Sequence, residues 1–244
     1  MRLADATWTD VDDTAVDVAL LPVGSTEQHG PHDPLGTDHM TAQAIAEAAA
    51  ETAGHEVVVA PPIPVGVSEE HRQFSGTLWV SPDTFRSYVR ETVESLFEHD
   101  WNRVVIVNGH GGNAAAIEEV AARLTRRHEA IVAPFTWFDA VDTDLAMGHA
   151  GPVETSLLLR TVPELVHEDR FDEAVAGGTD RWGDWVSGVN MAADSAEFSE
   201  NGTVGDPREA STETGADLEQ QATDALLALF DALLARDLAS VPHR

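Results

Sequence analysis

A single α/β domain is predicted, with three α/β/α layers and a mostly parallel central sheet, and three observations point to it. Short apolar runs alternate with stretches at helical spacing, the alternation repeats along the chain, and polar, glycine-bearing loops follow the apolar runs. Val16 to Val23 is the first apolar run and reads as a buried strand, followed by the polar loop Gly24 to Thr37. Asp38 stands in N-cap position before an alanine-rich helix, Met40 to Ala53. Val57 to Ala60 is a second strand, closed by Pro61 and Pro62. Ser81 and Pro82 open a helix as N-cap and first helical residue, and it runs to about Glu98. Val104 to Val107 is a β-branched strand that enters the glycine-rich stretch Asn108 to Asn113. A helix, Ala114 to Arg127, and a strand, Ile131 to Phe135, come next. Val153 to Thr161 reads as helical, and the last helix spans Thr212 to Leu234 with Leu226, Leu227, Phe230 and Leu233 at helical spacing. The stretch Ala174 to Pro207, rich in Gly, Asp and Ser, is irregular and long enough to be a functional excursion. Residues 1–244 are expected to form this one domain.

The 244 residues carry 43 Asp plus Glu against 14 basic residues, a formal net charge of −29, and there is no cysteine. All the basic residues are arginine. A charge this negative repels phosphate backbones, so nucleic acid is not an expected partner. Without cysteine there is no disulfide framework, thiolate metal site or Cys nucleophile. No apolar run approaches the ~20 residues of a membrane span, so no membrane partner is expected and the location is read as cytoplasmic. The acidity fits either a strongly basic partner or a salt-rich cytoplasm, where screening over ~3 Å at 1 M relieves self-repulsion. Acids spread along the whole chain and the absence of lysine favour the second reading, a halophilic source.

Three loops carry metal-ligand chemistry. The first runs from Gly24 through Glu27, Gln28, His29 and His32 to Asp38 and His39. The second is Asn108-Gly109-His110-Gly111-Gly112-Asn113, and the third runs from His149 through Glu154 to Ser156. In an open parallel sheet such loops gather at the carboxyl ends of the strands, where ligands bind. Each has a plainer reading. The glycine-rich loop could be a tight turn or a phosphate cradle, and Glu-x-His a solvated pair. Glu154 could be a first-turn carboxylate favoured by the helix dipole. Three separate loops that each offer His plus carboxylate argue for a shared centre, with imidazole and carboxylate ligands suiting Zn, Mn or Fe(II).

These motifs resemble the creatininase family of amidohydrolases. The resemblance rests on Gly24 to His32 with Asp38, on Asn108 to Asn113, and on His149 to Ser156, all in order. Further likeness lies in Gly66 to His71, Phe74 to Thr77 and Gly202 to Pro207. It covers roughly residues 18 to 215. It implies a creatininase-like fold and a binuclear site of two divalent ions per chain, with Glu27 and His110 on one ion, His29 on the second and Asp38 bridging. Creatininase has a carboxylate ligand two residues after the histidine of the second motif. Gly112 stands there in this chain, and Glu154 is the expected replacement, as ligand and catalytic carboxylate.

The resemblance also implies a small-molecule amide substrate, a hydroxide shared by the two ions as nucleophile, and a homo-oligomer, often a hexamer. His149 would carry the proton to the leaving amine, titrating near neutrality, or it would be a structural neighbour of the ligands. His32, His39 and His71 are expected to contact substrate or support ligands, and Thr26, Gln28 and Asn113 to orient them. One family subgroup resembles deformylases of a formylamino-pyrimidine nucleotide in archaeal flavin and deazaflavin synthesis. That substrate demands an arginine-built phosphate site, to which Arg72 could contribute. The alternative is a mycofactocin-type precursor peptide peptidase, to which Ser68 to His71 and Gly205 to Pro207 look close. A creatinine or cyclic-amide hydrolase stays open, and a non-catalytic metal-binding scaffold is the reading from another class. The Trp182 to Trp185 stretch could line a pocket or an interface, with burial in the core favoured.

Overall fold

The structure, a computed structural model, describes residues 1–238. Its helices are α1 (Trp8–Asp12), α2 (Thr37–Thr52), α3 (Pro82–Phe97), α4 (Ala114–Arg127), α5 (Pro152–Thr161), α6 (Phe171–Gly177) and α7 (Thr212–Leu234). Strands β1 (Val18–Val23), β2 (Val57–Val59), β3 (Arg103–Asn108) and β4 (Ile131–Thr136) form one parallel sheet in the order β2-β1-β3-β4. Leu20 pairs with Val59, Leu21 with Ile106, and Ile106 with Pro134. Pro134 cannot donate to a ladder and sits on the edge strand, where no further strand asks it to.

Side chains of the inner strands are buried on both faces, which is why the runs read as continuously apolar. Val18, Leu20, Val105 and Val107 face a core built with α2, α5 and α7. Ala19, Leu21, Val104 and Ile106 face the opposite core, filled by Phe85, Val89 and Val93 of α3 and by Ile117, Val120 and Leu124 of α4. The three-layer expectation is met, and the folds of neighbouring solved structures agree with it below. Ser81 caps α3 by accepting the Thr84 N–H, with Pro82 at the first helical position. Ser211 caps α7 through the Thr214 N–H. Among the described residues no helix is long and apolar enough to cross a membrane.

Two expectations are corrected. The first strand begins at Val18 rather than Val16, since the Asp17 N–H leaves the ladder to bond the Glu56 carbonyl. Helix α2 begins at Thr37 with Gly36 in the cap position, so Asp38 is not the N-cap. Its carboxylate is buried inside the first turn and turned towards two histidines, which hold it in place of the helix N–H groups.

The segment from Ala174 to Pro207 is irregular, as expected. It holds the end of α6, a two-residue hairpin formed by β5 (Trp185–Val186) and β6 (Val189–Asn190), and short 3-10 turns. It folds back over the carboxyl ends of the strands. Val204 exchanges backbone hydrogen bonds with His149, and the Gly202 carbonyl faces the Gln28 amide.

Candidate active site

Four connections converge where the strands end. The loop after β1 brings Glu27 and His29, and the first turn of α2 brings Asp38. The loop after β3 brings His110, and the segment entering α5 brings His149 and Glu154. The start of α2 can lie against the end of β3 because residue 109 is glycine: a Cβ there would collide with the Asp38 carbonyl. Asn108 secures the next residue by accepting the His110 N–H at 3.1 Å and donating to the His110 carbonyl at 2.8 Å. Asn113 ties this loop to the first strand, donating to the Gly24 carbonyl and accepting the Val67 N–H. Ala150 has φ +50°, a conformation rarely taken by alanine, and its N–H donates to the Glu154 Oε2 at 2.7 Å.

The side chains meet at short range. His110 Nδ1 lies 3.3 Å from Glu27 Oε1 and 3.2 Å from Asp38 Oδ2. The other Asp38 oxygen is 3.1 Å from His29 Nε2, which is 3.9 Å from Glu154 Oε1. Asp38 therefore stands between the two histidines with one oxygen towards each. Glu27, Asp38 and His110 form one group able to hold a cation, and His29, His149 and Glu154 form a second. All six are buried, and both Glu27 oxygens, His29 Nε2 and Asp38 Oδ2 lack an aligned hydrogen-bond partner. Buried polar atoms without partners are costly, and a cation among them would satisfy all four.

The orientation of the rings supports the same conclusion. His110 Nε2 donates to the Val67 carbonyl at 2.7 Å, and His29 Nδ1 to the Glu27 carbonyl at 3.2 Å. His149 Nε2 lies 2.7 Å from the Gln28 carbonyl and 2.8 Å from the Gln28 side-chain Nε2. In each ring one nitrogen is anchored on backbone and the other is aimed at the carboxylates, the arrangement that fixes the tautomer of a metal-ligating histidine.

His71 is different. The Gln28 amide is oriented by the Gly30 N–H on its oxygen and the Gly202 carbonyl near its nitrogen, and its Nε2 lies 2.8 Å from both His71 Nδ1 and His149 Nε2. His71 Nε2 lies 3.3 Å from Glu27 Oε1 without an aligned hydrogen bond. Glu27, His71 and His149 form a third buried group able to hold a cation.

Burial and mutual charge set the protonation. Burial pushes Glu27 up to about 8 and Glu154 up to about 7. Burial opposes charge on His29, but Asp38, Glu154 and Glu27 outweigh it and raise the imidazole to about 10. His110 is likewise held well above its usual value, burial being overcome by Glu27 and Asp38. Asp38 would rise on burial, yet the two cationic rings hold it well below the carboxylate range. His149 is pushed well below its ordinary value by burial and then by His29 and His71. His71 falls to about 3 from burial and the nearby cationic rings. The two protonated imidazoles thus flank the ionised Asp38, while burial favours the neutral forms of Glu27 and Glu154.

The cavity over this cluster has a volume of about 370 Å³ and is walled by Glu70, Gly111, Gly112, Phe138, Met147 and Trp182 as well as by the cluster itself. The sequence-predicted residues Glu27, His29, Asp38, His110, His149 and Glu154 are all brought together. His71 and Gln28 join them. His32 and His39 do not line the cavity; His32 is buried against Thr155 and Asp33. Thr26 instead bonds the Pro64 carbonyl. Trp182 is not a core residue: its ring lies 5.6 Å from that of His71 and 5.8 Å from that of His149. Trp185 is exposed on the hairpin. Glu70, Phe138 and Met147 were not anticipated, and of these only Glu70 had a signal, its place directly before His71 in a quoted motif. No arginine lines the cavity among the described residues, and Arg72 turns to Asp194 at 2.7 Å rather than inward.

Residues 4–230 match the family model described as Creatininase: Creatinine amidohydrolase. The mycofactocin precursor peptide peptidase of Mycolicibacterium smegmatis is 38% identical over 205 residues, 82% of this chain and 78% of that protein. The creatinine amidohydrolase of Pseudomonas putida is 29% identical over 177 residues, covering 63% and 67% of the two chains. A crystal structure of creatinine amidohydrolase superposes with a TM-score of 0.82 at 24% identity, over 96% of this chain and 98% of the other. Neighbouring creatininase structures include a manganese form and a Zn–Zn form.

Proposed function

We propose, from the premise that the chain belongs to the creatininase family of hydrolases acting on C–N amide bonds, that it is a metal-dependent peptidase of a short peptide. The observation that carries the metal-dependent part is the placement of Asp38, one oxygen towards His110 and the other towards His29, between two buried ligand groups. Glu27, Asp38 and His110 would hold one divalent ion, and His29, Asp38 and Glu154 a second. Zn, Mn and Fe(II) all suit such ligands. Bound there, divalent ions supply polarisation of the amide carbonyl and a lowered pKa for water.

The protein's own groups do the rest. Backbone carbonyls lie against the three ligand-facing rings. Burial and the neighbouring rings keep His149 neutral, and its Nδ1, which faces the cluster, is the nitrogen placed to carry a proton to the leaving nitrogen. Phe138, Met147 and Trp182 give the cavity apolar walls that keep bulk water from the scissile bond.

The peptidase reading is preferred to the nucleotide deformylase because a phosphate is best held by arginine, and among the described residues no arginine lines this cavity. The 38% identity to a peptidase favours the same choice. Incubating the metal-loaded protein with short peptides, with creatinine and with a formylamino-pyrimidine nucleotide tests it. Chelator-sensitive peptide cleavage with no formate released is expected; formate release with intact peptides would overturn it.

The protons on His29 and His110 predict a pH dependence. A metal must displace them, so its apparent affinity rises about tenfold per pH unit for each proton lost, up to about pH 10 for His29. Calorimetry in buffers of different ionisation heat should detect at least two protons released per chain at pH 7, from His29 and His110, with Glu27 and Glu154 adding to them. In the metal-free protein the raised His29 value stabilises the fold fully below about pH 6.5. That contribution disappears as the pH climbs through about 10.

We also infer a saline habitat from the −29 charge without lysine. Raising KCl from ~0.1 to ~1 M shortens the screening length from ~10 to ~3 Å and should raise the melting temperature. An unchanged or lower value would contradict the inference.

A further inference from the structure

We propose that Glu70 anchors a substrate-recognition subsite for a protonated amine carried on an apolar or aromatic group. This deepens the peptidase reading and rests on it for the placing of the scissile bond. A second cavity of about 250 Å³ adjoins the active-site cavity, and the two share Glu70 and Trp182 in their walls. The second continues between Trp182, Phe198, Asn190 and Ser195. Its aromatic wall is already assembled, the Trp182 and Phe198 rings meeting edge to face at 5.1 Å. A substrate with its amide over the metal-ligand cluster and a side group in the second cavity must pass the Glu70 carboxylate.

Among the described residues no hydrogen bond or ion pair reaches that carboxylate, whereas its acidic neighbours are engaged. Asp194 is held by Arg72 at 2.7 Å, and Glu69, largely exposed, lies 4.0 Å from the same arginine. Gly112 is what leaves the carboxylate room. A Cβ there would run into the Val67 carbonyl and the His110 ring and would lie 3.3 Å from Glu70 Oε1. The junction therefore offers one uncommitted carboxylate in a wall shared with the Trp182 indole. That pair attracts an ammonium group by charge and by the ring quadrupole. With no arginine in either wall, a carboxylate or phosphate finds no complement there.

The test is calorimetric titration of the metal-loaded full chain with 2-phenylethylamine, 2-phenylethanol and phenylacetate. The amine should bind at least ~10-fold more tightly than the other two. Glu70→Gln, a nearly isosteric change at a half-buried position, should remove that preference. Glu69→Gln deletes the same charge from the adjacent surface and should keep the preference within about twofold, which separates a specific contact from the pull of a very acidic protein. Trp182→Leu should weaken the amine and the alcohol together. Equal amine affinity in Glu70→Gln and the parent would overturn the subsite, as would equal losses in the two Glu→Gln variants or an alcohol that binds as well as the amine. Peptide hydrolysis on the same samples keeps the two readings apart. Intact amine preference without any cleavage would sink the peptidase and spare the subsite, and cleavage without amine preference would do the reverse.

Discussion

Replacing Asp38 with alanine is expected to abolish metal binding and to lower amide hydrolysis by at least ~10³-fold. The estimate lies above the 10–100-fold typical of residues that merely support a ligand, because Asp38 faces both ligand groups at once. The metal-free fold should suffer as well. The buried imidazoles of His29 and His110 lose the carboxylate between them, and breaking a buried ion pair costs about 3–5 kcal/mol. The lower end applies, since both rings can shed their protons, and for a domain of this size about 3 kcal/mol lowers the melting temperature by roughly 6–12 °C. Differential scanning calorimetry with and without metal reads both effects. A variant that keeps its metal and its turnover would refute the role given to Asp38.

The second large effect is expected at His149. Its Nδ1 faces the cluster, 3.9 Å from Glu27 Oε1, while its Nε2 lies against the Gln28 carbonyl. As the group that moves a proton, its replacement by alanine should lower kcat by about 10²- to 10⁴-fold and leave KM nearly unchanged. Metal content should persist, since Glu27, Asp38, His110, His29 and Glu154 remain. Loss of the second metal in His149→Ala would instead make His149 a ligand with His29 and Glu154, a grouping the geometry also permits. Stoichiometry measured beside the kinetics distinguishes the two roles.

Local signals carried the fold a long way. Helices α4 and α7 occupy the ranges read from the sequence, with the apolar residues of each at helical spacing on one buried side. Asp38 shows where local rules stop. By capping chemistry it belongs before the helix, and only contacts with His29 and His110, brought in by other loops, draw its carboxylate into the cluster. Glu27, His29, His110 and Glu154 were legible because residue type and order survive in three loops even when distances are unknown. Which histidines face a cation was not legible. His71 and His149 look alike in sequence, and only the fold brings both rings to the Gln28 side-chain amide and stacks them with centroids 4.5 Å apart. Trp182 was hidden for a related reason. An aromatic ring in an irregular stretch reads as core until the chain is seen to fold back over the site.

Metal stoichiometry, determined by mass spectrometry on the full chain reconstituted separately with Zn, Mn and Fe(II) in high salt, tests the central claim most directly. Two ions per chain, with at least two protons released on loading, is the result expected from two buried ligand groups that share Asp38. Protein that stays metal-free with all three ions, its His29 and His110 still protonated at pH 7, would contradict the metal-dependent reading.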